Sequence, residues 1–456
     1  MVKVERVRGT RDFLPAEMKK RREMERIMRE VAIKWGYEEV QTPTFEHAEL
    51  FTLKSGEEIL KEMYEFVDKG GRHLALRPEL TAPVIRMFVN ELKMARKPLR
   101  FFYFGNCFRY EEPQRARYRE FWQFGAEIIG ADSPPAQAEI IALAHEILNA
   151  LHIKGSIEIG HVGILRDFLA KLSEESGVSL NEDEKNRIMR LIDKGAKEQI
   201  EEFMRAKGFK EDAIADLFGM VSLRGEDALE EARELLRSGD GENGENSRGT
   251  ALDKLRELEA VVELLSEGYG TPFTLNLGIA RGLDYYTGLV FEIYAEAEKL
   301  GAQRQICGGG SYRIAHLFGG EDTPSTGFAF GFDRLSEIFP FEAPSDLKVV
   351  VVPVLRKADA GLRRDLQIAA LKTARILRSH FVTLTDVLGR NLSAQLAYAD
   401  AIGASFAVII GERELKEGRV TLRNLRTGEQ ESVSVEECVR KIKESAARKG
   451  ESASPV

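Results

Sequence analysis

The sequence predicts an α+β protein, with one domain built on an antiparallel β-sheet and carrying a helical insertion, followed by a small α/β domain. Three observations lead to this prediction. Two strand-like segments, 99–108 and 119–129, are joined by a polar loop, which is typical of an antiparallel hairpin. An almost wholly helical stretch, 164–266, separates two β-rich parts. From residue 347 onward, strand and helix patterns alternate, which indicates a largely parallel sheet.

The other elements of the first domain follow from apolar spacing and from glycine and proline. Apolar residues recur at helical spacing from Met24 to Trp35, so residues 16–35 are predicted as a helix that ends at Gly36. A strand over 37–42 stops at Pro43. The remaining predictions are a mixture of strand and helix over 59–90, a helix over 134–151, and strands over 273–277, 289–295 and 326–330.

The C-terminal part begins with the strand DLKVVVVPV and continues as helix, strand, helix and strand up to SFAVIIG. A hairpin is predicted around 426–428, and a capping-box pattern from Ser434 to Glu437 opens a last helix. The run SGDGENGENSRGT at 238–250 has the composition of a flexible linker or a disordered loop. The predicted domains are 1–163 with 252–338 (sheet domain), 164–251 (helical insertion), 347–446 (α/β domain) and 447–456 (tail).

The composition is that of a folded protein, because 43% of the 456 residues are hydrophobic and 31% are charged. No apolar run approaches the ~20 residues that a membrane span needs, and the N-terminus lacks the apolar core of a signal peptide. Three distant cysteines do not suit a disulfide framework or a thiolate zinc site, and the seven histidines show no metal-ligand spacing. We therefore expect a cytoplasmic, multidomain protein with no membrane partner and no protein-bound metal.

Charge is unevenly distributed along the chain. Residues 347–446 contain 17 Lys and Arg against 12 Asp and Glu, a net charge of +5, whereas residues 1–346 carry −14. A basic domain on an acidic body favours local contact with a polyanion. A solvated charged surface explains the same counts equally well.

The densest group of candidate functional residues lies in the predicted hairpin. Phe121, Gln123, Gly125 and Glu127 alternate along one strand and therefore share one face, and Arg109 ends the facing strand. An aromatic ring, an amide, a bare backbone, a carboxylate and a guanidinium can together stack a planar ring, hold an anion and bind an amine. The alternative is a half-buried sheet with an Arg–Glu ion pair.

Three further stretches combine charged residues with glycine and aromatic residues. LRPELT places Glu79 beside a stiff turn, RGLDYYTG places Arg281 and two tyrosines before a strand, and GFAFGFDRL places Arg334 after close-packed glycines. The sequence has no glycine-rich phosphate loop. Arginines can instead cradle a triphosphate, with Mg²⁺ sharing the charge. A simple ion pair between Asp333 and Arg334 is the alternative.

Together these stretches resemble the signature motifs of class II aminoacyl-tRNA synthetases, and specifically of the histidyl-tRNA synthetase family. FRYEEPQRARYREF is similar to the second class motif and GFAFGFDRL to the third, while RGLDYYTG and CGGGSY are similar to the two histidine-specific motifs. The helix with Thr42 and Pro43 resembles the first motif, a dimer element. The resemblance covers essentially the whole chain and implies that 347–446 is an anticodon-binding domain.

The resemblance implies a role for each candidate residue. Arg109 would bind the α-phosphate of ATP and the carboxylate of histidine, and Arg281 would act electrostatically at that phosphate, which makes these two the catalytic residues. The other implied roles are α-amino binding by Glu79, Thr81 and Gln123, imidazole binding by Glu127 and Tyr286, pocket lining by Tyr285, adenine stacking by Phe121, and contact with the outer phosphates by Arg117 and Arg334. Histidyl-adenylate would form from ATP and histidine, and the histidyl group would pass to the 3′ end of tRNA(His).

Two departures from the family pattern stand out. Glu112 precedes Pro113 where the second motif usually has an arginine that contacts the acceptor end of tRNA, and GGGSYR replaces GGGRYD, with Ser311 and Arg313 as the differing residues. The main competing interpretation is a catalytically inactive, synthetase-like regulatory subunit of a histidine-biosynthesis enzyme. The second is a class II synthetase for glycine, proline or threonine, which gives no reason for RGLDYYTG. The retained arginines and the basic domain favour the synthetase for histidine, working as a homodimer.

Overall fold

The computed structural model describes residues 4–53, 61–112, 117–237, 245–280, 285–297, 300–301, 304–342, 347–356 and 358–447. The chain divides into two compact units, Met1–Phe341 and Glu342–Val456. We describe each unit by itself. Within the described ranges, no helix is both long enough and apolar enough to cross a bilayer.

The first unit contains three kinds of element. Its strands are β1 (Glu38–Glu39), β2 (Phe45–His47), β3 (Tyr64–Val67), β4 (His73–Leu76), β5 (Leu99–Phe108), β6 (Glu120–Ile129), β7 (Gly155–His161), β8 (Thr274–Leu275), β9 (Tyr286–Ala295), β10 (Gln305–Tyr312) and β11 (Ser325–Gly331). Its α-helices are α1 (Pro15–Lys34), α2 (Glu49–Thr52), α3 (Thr81–Met87), α4 (Pro134–Ala150), α5 (Val162–Ser176), α6 (Glu182–Asp193), α7 (Lys197–Lys207), α8 (Glu211–Ser222), α9 (Ala228–Arg237), α10 (Glu245–Glu263) and α11 (Phe332–Ile338). Short π-helical turns occur at Phe88–Leu92 and Leu264–Tyr269, and a 3₁₀ turn at Ala315–Phe318.

A large sheet forms the centre of this unit, in the strand order β1-β5-β6-β11-β10-β9-β7-β8. The pairs from β5 to β7 are antiparallel, whereas β1 and β8 join the two edges in parallel. A smaller antiparallel sheet has the order β2-β4-β3. The large sheet places β6 beside β11, and β11 beside β10, although β6 is far from both of these strands in sequence.

Helix α1 shows how the apolar stripe is used. Proline at its first position suits the helix start, and Gly36 follows its end with a φ of 81°, a conformation that glycine adopts without strain. Met24 and Met28 are fully buried in the core, and the helix packs against α4. The stripe predicted from the sequence therefore faces the interior of its own subunit.

The second unit has a five-stranded sheet in the order β13-β12-β14-β15-β16. Its elements are β12 (Lys348–Pro353), α12 (Ala360–Arg378), β13 (Val382–Thr385), α13 (Leu392–Ala401), β14 (Phe406–Ile410), α14 (Glu412–Glu417), β15 (Val420–Asn424), β16 (Gln430–Val433) and α15 (Val435–Ala447). Strand β12 is parallel to both neighbours, and the last three strands are antiparallel. The run Val349–Val352 is buried on both faces of the sheet, as is usual for a parallel strand covered by helices.

Some expectations from the sequence need correction. Residues 245–250 were predicted as part of a linker but begin α10, because helical residues follow them and extend the helix backward; residues 238–244 lie outside the described part. Strands β7 and β10 were not predicted, since the glycines of β10 hide its pattern. A strand was predicted over 37–42, but only Glu38–Glu39 pairs with the edge of the large sheet.

Candidate active site

The candidate site lies on the large sheet where β5, β6, β11 and β10 run together. Small residues lie opposite the larger ones on its strands: Gly125 pairs with Tyr103 on one side and with Ala329 on the other, and Gly327 pairs with Glu127. A Cβ atom on Gly327 would meet the Glu127 carboxylate at 1.5 Å, and one on Gly125 would meet the Tyr103 hydroxyl at 2.4 Å. These glycines therefore make the room in which the larger side chains converge.

Glu127 lies at the buried end of this space. Its side chain is almost fully buried, and Tyr103 and Tyr312 each donate a hydroxyl hydrogen bond to it, at 2.9 and 2.7 Å. Burial, reinforced by Glu127, raises the pKa of both tyrosines well above the usual value, so both remain protonated donors. The carboxylate therefore lies between two phenol groups that donate to it.

The tyrosine pair of RGLDYYTG approaches the same place from β9. The rings of Tyr285 and Tyr286 lie 4.6 Å apart between centroids, and their hydroxyls are 3.5 Å apart. Tyr285 also makes an edge contact with the Tyr312 ring at 5.8 Å. Both tyrosines thus join the Glu127 neighbourhood, whereas Arg281 lies outside the described residues.

Glu79 and Thr81 are brought to the site by the turn before α3. The Glu79 carboxylate accepts from the backbone N–H groups of Thr81 and Ala82, at 2.7 and 3.0 Å. The Thr81 hydroxyl lies 3.4 Å from the Tyr103 hydroxyl. Gln123 follows on β6, with its side-chain oxygen 3.4 Å from the Cys107 sulfur. These polar groups line the space between Glu127 and the arginines.

Three predicted arginines meet at the other end of the site. The Arg109 guanidinium lies over the Phe121 ring, 5.2 Å from its centroid, and donates to the Pro78 carbonyl at 3.0 Å. Arg117 pairs with Glu111, and Arg334 donates to the Gln305 carbonyl. Burial lowers the pKa of Arg334, and the charges of Arg117 and Arg109 lower it further. This mutual repulsion marks a place suited to a polyanion.

The simple ion pair considered for Asp333 and Arg334 is wrong. Asp333 instead accepts from Arg21 at 2.7 Å and from the Trp122 N–H at 2.7 Å, with both side chains of the ion pair buried. The Arg21 guanidinium also lies 4.1 Å from the Phe13 ring centroid. Asp333 therefore ties α1 to the hairpin, and Arg334 faces the other arginines.

Both departures from the family motifs have partners in the structure. Glu112 accepts from Arg8 at 3.0 Å in an exposed pair. Arg313 pairs with Asp132 and Asp322, at 3.1 and 3.0 Å. Ser311 is buried and lies 3.1 Å from the Gln137 amide nitrogen.

Tyr103, Tyr312 and Arg21 were not among the site residues predicted from the sequence. A signal for Tyr103 existed, because a hairpin with its register known would place it opposite Gly125. Tyr312 lies two residues after the run Gly308–Gly310, and this run hides the strand pattern that would have placed the tyrosine on the pocket face. Arg21 offers no comparable signal, since its partner Asp333 lies 312 residues away.

In the second unit, the carboxyl ends of the parallel strands carry exposed and basic groups. The Arg390 guanidinium lies 4.5 Å from the centroid of the Tyr398 ring, which is 37% exposed. Val387 and Leu388, in the loop after β13, are largely exposed. In open α/β sheets, ligands bind at this edge, and a guanidinium stacked on an aromatic ring is suited to nucleobases.

The arrangement in the first unit combines a buried carboxylate, several hydroxyls and a cluster of arginines, with no nucleophile–base pair among them. A family model described as "Histidyl-tRNA synthetase" matches residues 9–335, and one described as "Anticodon binding domain" matches residues 348–445. This chain belongs to the histidyl-tRNA synthetase family. A site that positions two anionic groups and neutralises their charge needs no nucleophile–base pair, in agreement with this family.

Similar proteins span nearly the whole chain. The histidine–tRNA ligase of Archaeoglobus fulgidus is 50% identical over 438 residues, covering 96% of this chain and 98% of that protein. The corresponding ligase of Methanosarcina acetivorans is 46% identical, with the same coverage. The structure of apo Staphylococcus aureus histidyl-tRNA synthetase is similar with a TM-score of 0.69 at 27% identity, covering 97% of this chain and all of that one.

A further solved structure bears on the competing interpretation. A Bacillus halodurans protein, titled as an ATP phosphoribosyltransferase regulatory subunit/histidyl-tRNA synthetase, is similar with a TM-score of 0.70 at 26% identity, covering 89% of this chain and 98% of that one. The predicted fold class is confirmed by these structures, with an antiparallel-rich catalytic sheet and a C-terminal α/β domain. Because both structures share the fold, fold similarity alone does not separate a ligase from a regulator.

Proposed function

We propose that this chain activates histidine with ATP to form histidyl-adenylate and then transfers the histidyl group to the 3′ end of tRNA(His). As a member of its family with near-full-length similarity to histidine–tRNA ligases, the chain is an aminoacyl-tRNA ligase, and the family uses ATP. The observation that carries the choice of amino acid is the Glu127 carboxylate, buried between two tyrosine hydroxyls at one end of the site.

Histidine recognition rests on that carboxylate. Each carboxylate oxygen accepts more than one hydrogen bond, so Glu127 can take an imidazole N–H in addition to the two phenols. Tyr286 supplies a hydroxyl for the second ring nitrogen, and Tyr285 packs beside it. Glu79, Thr81 and Gln123 are placed between this pocket and the arginines, where the α-amino group would lie.

The chemistry requires positioning more than acid–base catalysis. A carboxylate oxygen of histidine attacks the α-phosphorus of ATP, a new O–P bond forms, and pyrophosphate leaves with its electron pair. Arg109 would hold the carboxylate and α-phosphate together, while Arg117 and Arg334 would take the outer phosphates, and Phe121 would stack on adenine. Bringing two anions together in one site lowers the barrier by neutralisation and orientation. Arg281 is proposed for the same phosphate.

Mg²⁺ would arrive as the complex of ATP. Within the described residues, no group of three or more acidic, histidine or cysteine side chains could hold a metal ion by itself. Mg²⁺ is commonly held by substrate phosphates with one or two carboxylates, and Glu111 lies among the arginines. Bound there, the ion would share the negative charge of the phosphates.

The second unit, 347–446, would bind the anticodon stem-loop of tRNA(His), consistent with its charge of +5 and with the Arg390–Tyr398 edge. Residues 1–163 and 252–338 would form the catalytic domain and 164–251 its insertion. The chain would act as a homodimer in the cytoplasm, where its three buried, free cysteines stay reduced.

The deciding experiment is histidine-dependent exchange of labelled pyrophosphate into ATP, followed by charging of tRNA(His). We expect exchange with histidine and not with glycine, proline or threonine. The regulatory alternative predicts no exchange and no charging. The near-full-length identity to ligases and the presence of an anticodon-binding domain favour the enzyme.

A further inference from the structure

Directly behind the Glu127 pocket lies a buried link between a helix and the sheet. Successive residues of a strand face opposite sides, so Ser311 points away from the pocket into which its neighbour Tyr312 donates. Ser311 and Gln137 of α4 are each about 1% exposed, and the Gln137 amide nitrogen lies 3.1 Å from the Ser311 hydroxyl. The same nitrogen donates to the Asp132 carbonyl at 2.6 Å and to Glu257 at 2.9 Å.

Ser311 occupies an irregular point in the pairing of β9 with β10. Gly310 pairs with Val290, but Tyr312 pairs with Tyr286, so Thr287, Gly288 and Leu289 lie opposite Ser311 alone. The Thr287 hydroxyl is 3.5 Å from the Ser311 carbonyl, and a Cβ atom on Gly288 would lie 3.4 Å from the Ser311 Cβ. Bulges of this kind re-aim side chains beside active sites, and here the two residues beyond the bulge are the pocket tyrosines.

The Gln137 amide is poorly suited to a purely stabilising role. Its side-chain oxygen is buried and has no hydrogen-bond partner among the described residues. A buried acceptor without a partner is costly, whereas an apolar side chain of the same volume would avoid that cost. We therefore infer that the amide fixes the relative positions of the loop before α4, helix α10 and strand β10, because its nitrogen contacts all three.

We propose that Gln137 and Ser311 are positioning residues for histidine recognition: they hold the β9–β10 bulge in register and thereby set the aim of Tyr312 and Tyr286 at the imidazole. The inference rests on the proposed function, since the two tyrosines matter only if the pocket takes histidine. It concerns a residue that departs from the family motif, because Ser311 stands where that motif has arginine. Both residues would act through the tyrosines and not directly on histidine.

The test compares Gln137→Met, which keeps the volume and removes the donors, with Ser311→Ala, which removes only the hydroxyl. Both are assayed in the full-length protein by pyrophosphate exchange. If either substitution displaces Tyr312 or Tyr286, the KM for histidine should rise roughly tenfold, whereas the KM for ATP should remain nearly unchanged. If the two residues act as one link, the double variant should be no worse than Gln137→Met alone.

Gln395→Met is the matched control, because Gln395 in the second unit is equally buried and also has a side-chain oxygen with no partner among the described residues. It should leave both KM values unchanged. A lower melting temperature with an unchanged histidine KM, for Gln137→Met or Ser311→Ala, would reduce the link to a structural one and overturn the inference. If Gln137→Met does not fold, Ser311→Ala alone decides. Absence of histidine-dependent exchange in the unaltered protein would instead overturn the proposed function.

Discussion

Glu127 is the residue on which amino-acid choice is expected to depend. Replacing it by glutamine keeps its size but puts an NH₂ group in place of one of the two oxygens to which the tyrosines donate, so at least one of these hydrogen bonds is lost or reversed. We predict that Glu127→Gln lowers kcat/KM for histidine in pyrophosphate exchange at least ~100-fold, because sites built around a hydrogen bond depend strongly on it. The KM for ATP should change little.

Glu158→Gln is the matched control for that prediction. Glu158 lies on β7 of the same sheet and accepts from the Asn276 amide at 2.6 Å, away from the pocket. The Glu158→Gln variant should retain the kcat/KM for histidine of the unaltered protein. Equal kinetics for the two variants would show that Glu127 does not read the imidazole.

The buried imidazole of His161 should make the free energy of unfolding depend on pH. It caps α5 by accepting from the Ile164 N–H, and burial, assisted by the charge of Lys254, lowers its pKa from 6.5 to about 3. The unfolded chain therefore binds a proton between pH 6.5 and 3 that the folded chain does not, so this group's contribution to stability is present above pH 6.5 and is lost as the pH falls. Lys254 itself pairs with Asp167, which keeps a cation beside the ring.

Changing His161 to asparagine preserves a capping acceptor and removes the titration. Between pH 7 and pH 5.5 the free energy of unfolding should fall by about 1 kcal/mol more in the unaltered protein than in His161→Asn. Urea unfolding at the two pH values measures this difference. The same pH dependence in both proteins would mean that His161 titrates normally in the fold.

At the scale of elements, the hairpin was predictable and its consequences were not. The β5–β6 hairpin could be predicted because both strands are long and the loop between them is polar. The convergence of Glu127 with Tyr312 could not, since it depends on β11 lying between β6 and β10, a pairing of strands about 200 residues apart. The repeated glycines of β10 also removed the alternation of apolar and polar residues by which a strand is predicted, although the same glycines allow the strand to pack closely.

The three-stranded sheet exposes an apolar face that suits a second copy of the chain. Phe45 and Phe66 are 55% and 41% exposed, and their rings lie 6.4 Å apart between centroids. The apolar stripe of α1 is already buried within the subunit, so this sheet is the better candidate for the proposed dimer contact. We predict that Phe66→Lys shifts the protein from dimer to monomer in sedimentation velocity.

Met94→Lys provides the control for that shift. Met94 is 90% exposed and lies outside the three-stranded sheet, so the same charge placed there should leave the dimer intact. A dimer that withstands Phe66→Lys would place the interface elsewhere. A monomer in both the unaltered protein and the variant would contradict the homodimer itself.

At the scale of the whole molecule, the two units divide the proposed function between them. The buried carboxylate and the arginine cluster lie within Met1–Phe341, and the basic α/β sheet lies within Glu342–Val456. Each unit has its own hydrophobic core. Adenylate formation and anticodon binding should therefore be separable by removing the second unit.

A chain truncated after Phe341 should retain part of its histidine-dependent pyrophosphate exchange and lose much of its affinity for tRNA(His). The physical reason is charge, since residues 347–446 carry +5 on a chain whose first 346 residues carry −14. Each phosphate neutralised on duplex nucleic acid contributes a slope of about −0.9 to the dependence of log affinity on log salt. Removing the basic unit should make that slope shallower, and tRNA binding by both proteins at two salt concentrations measures it. If the second unit serves only to stabilise the fold, the truncated protein will unfold or dissociate, and any folded fraction will bind tRNA with the affinity and salt dependence of the whole chain.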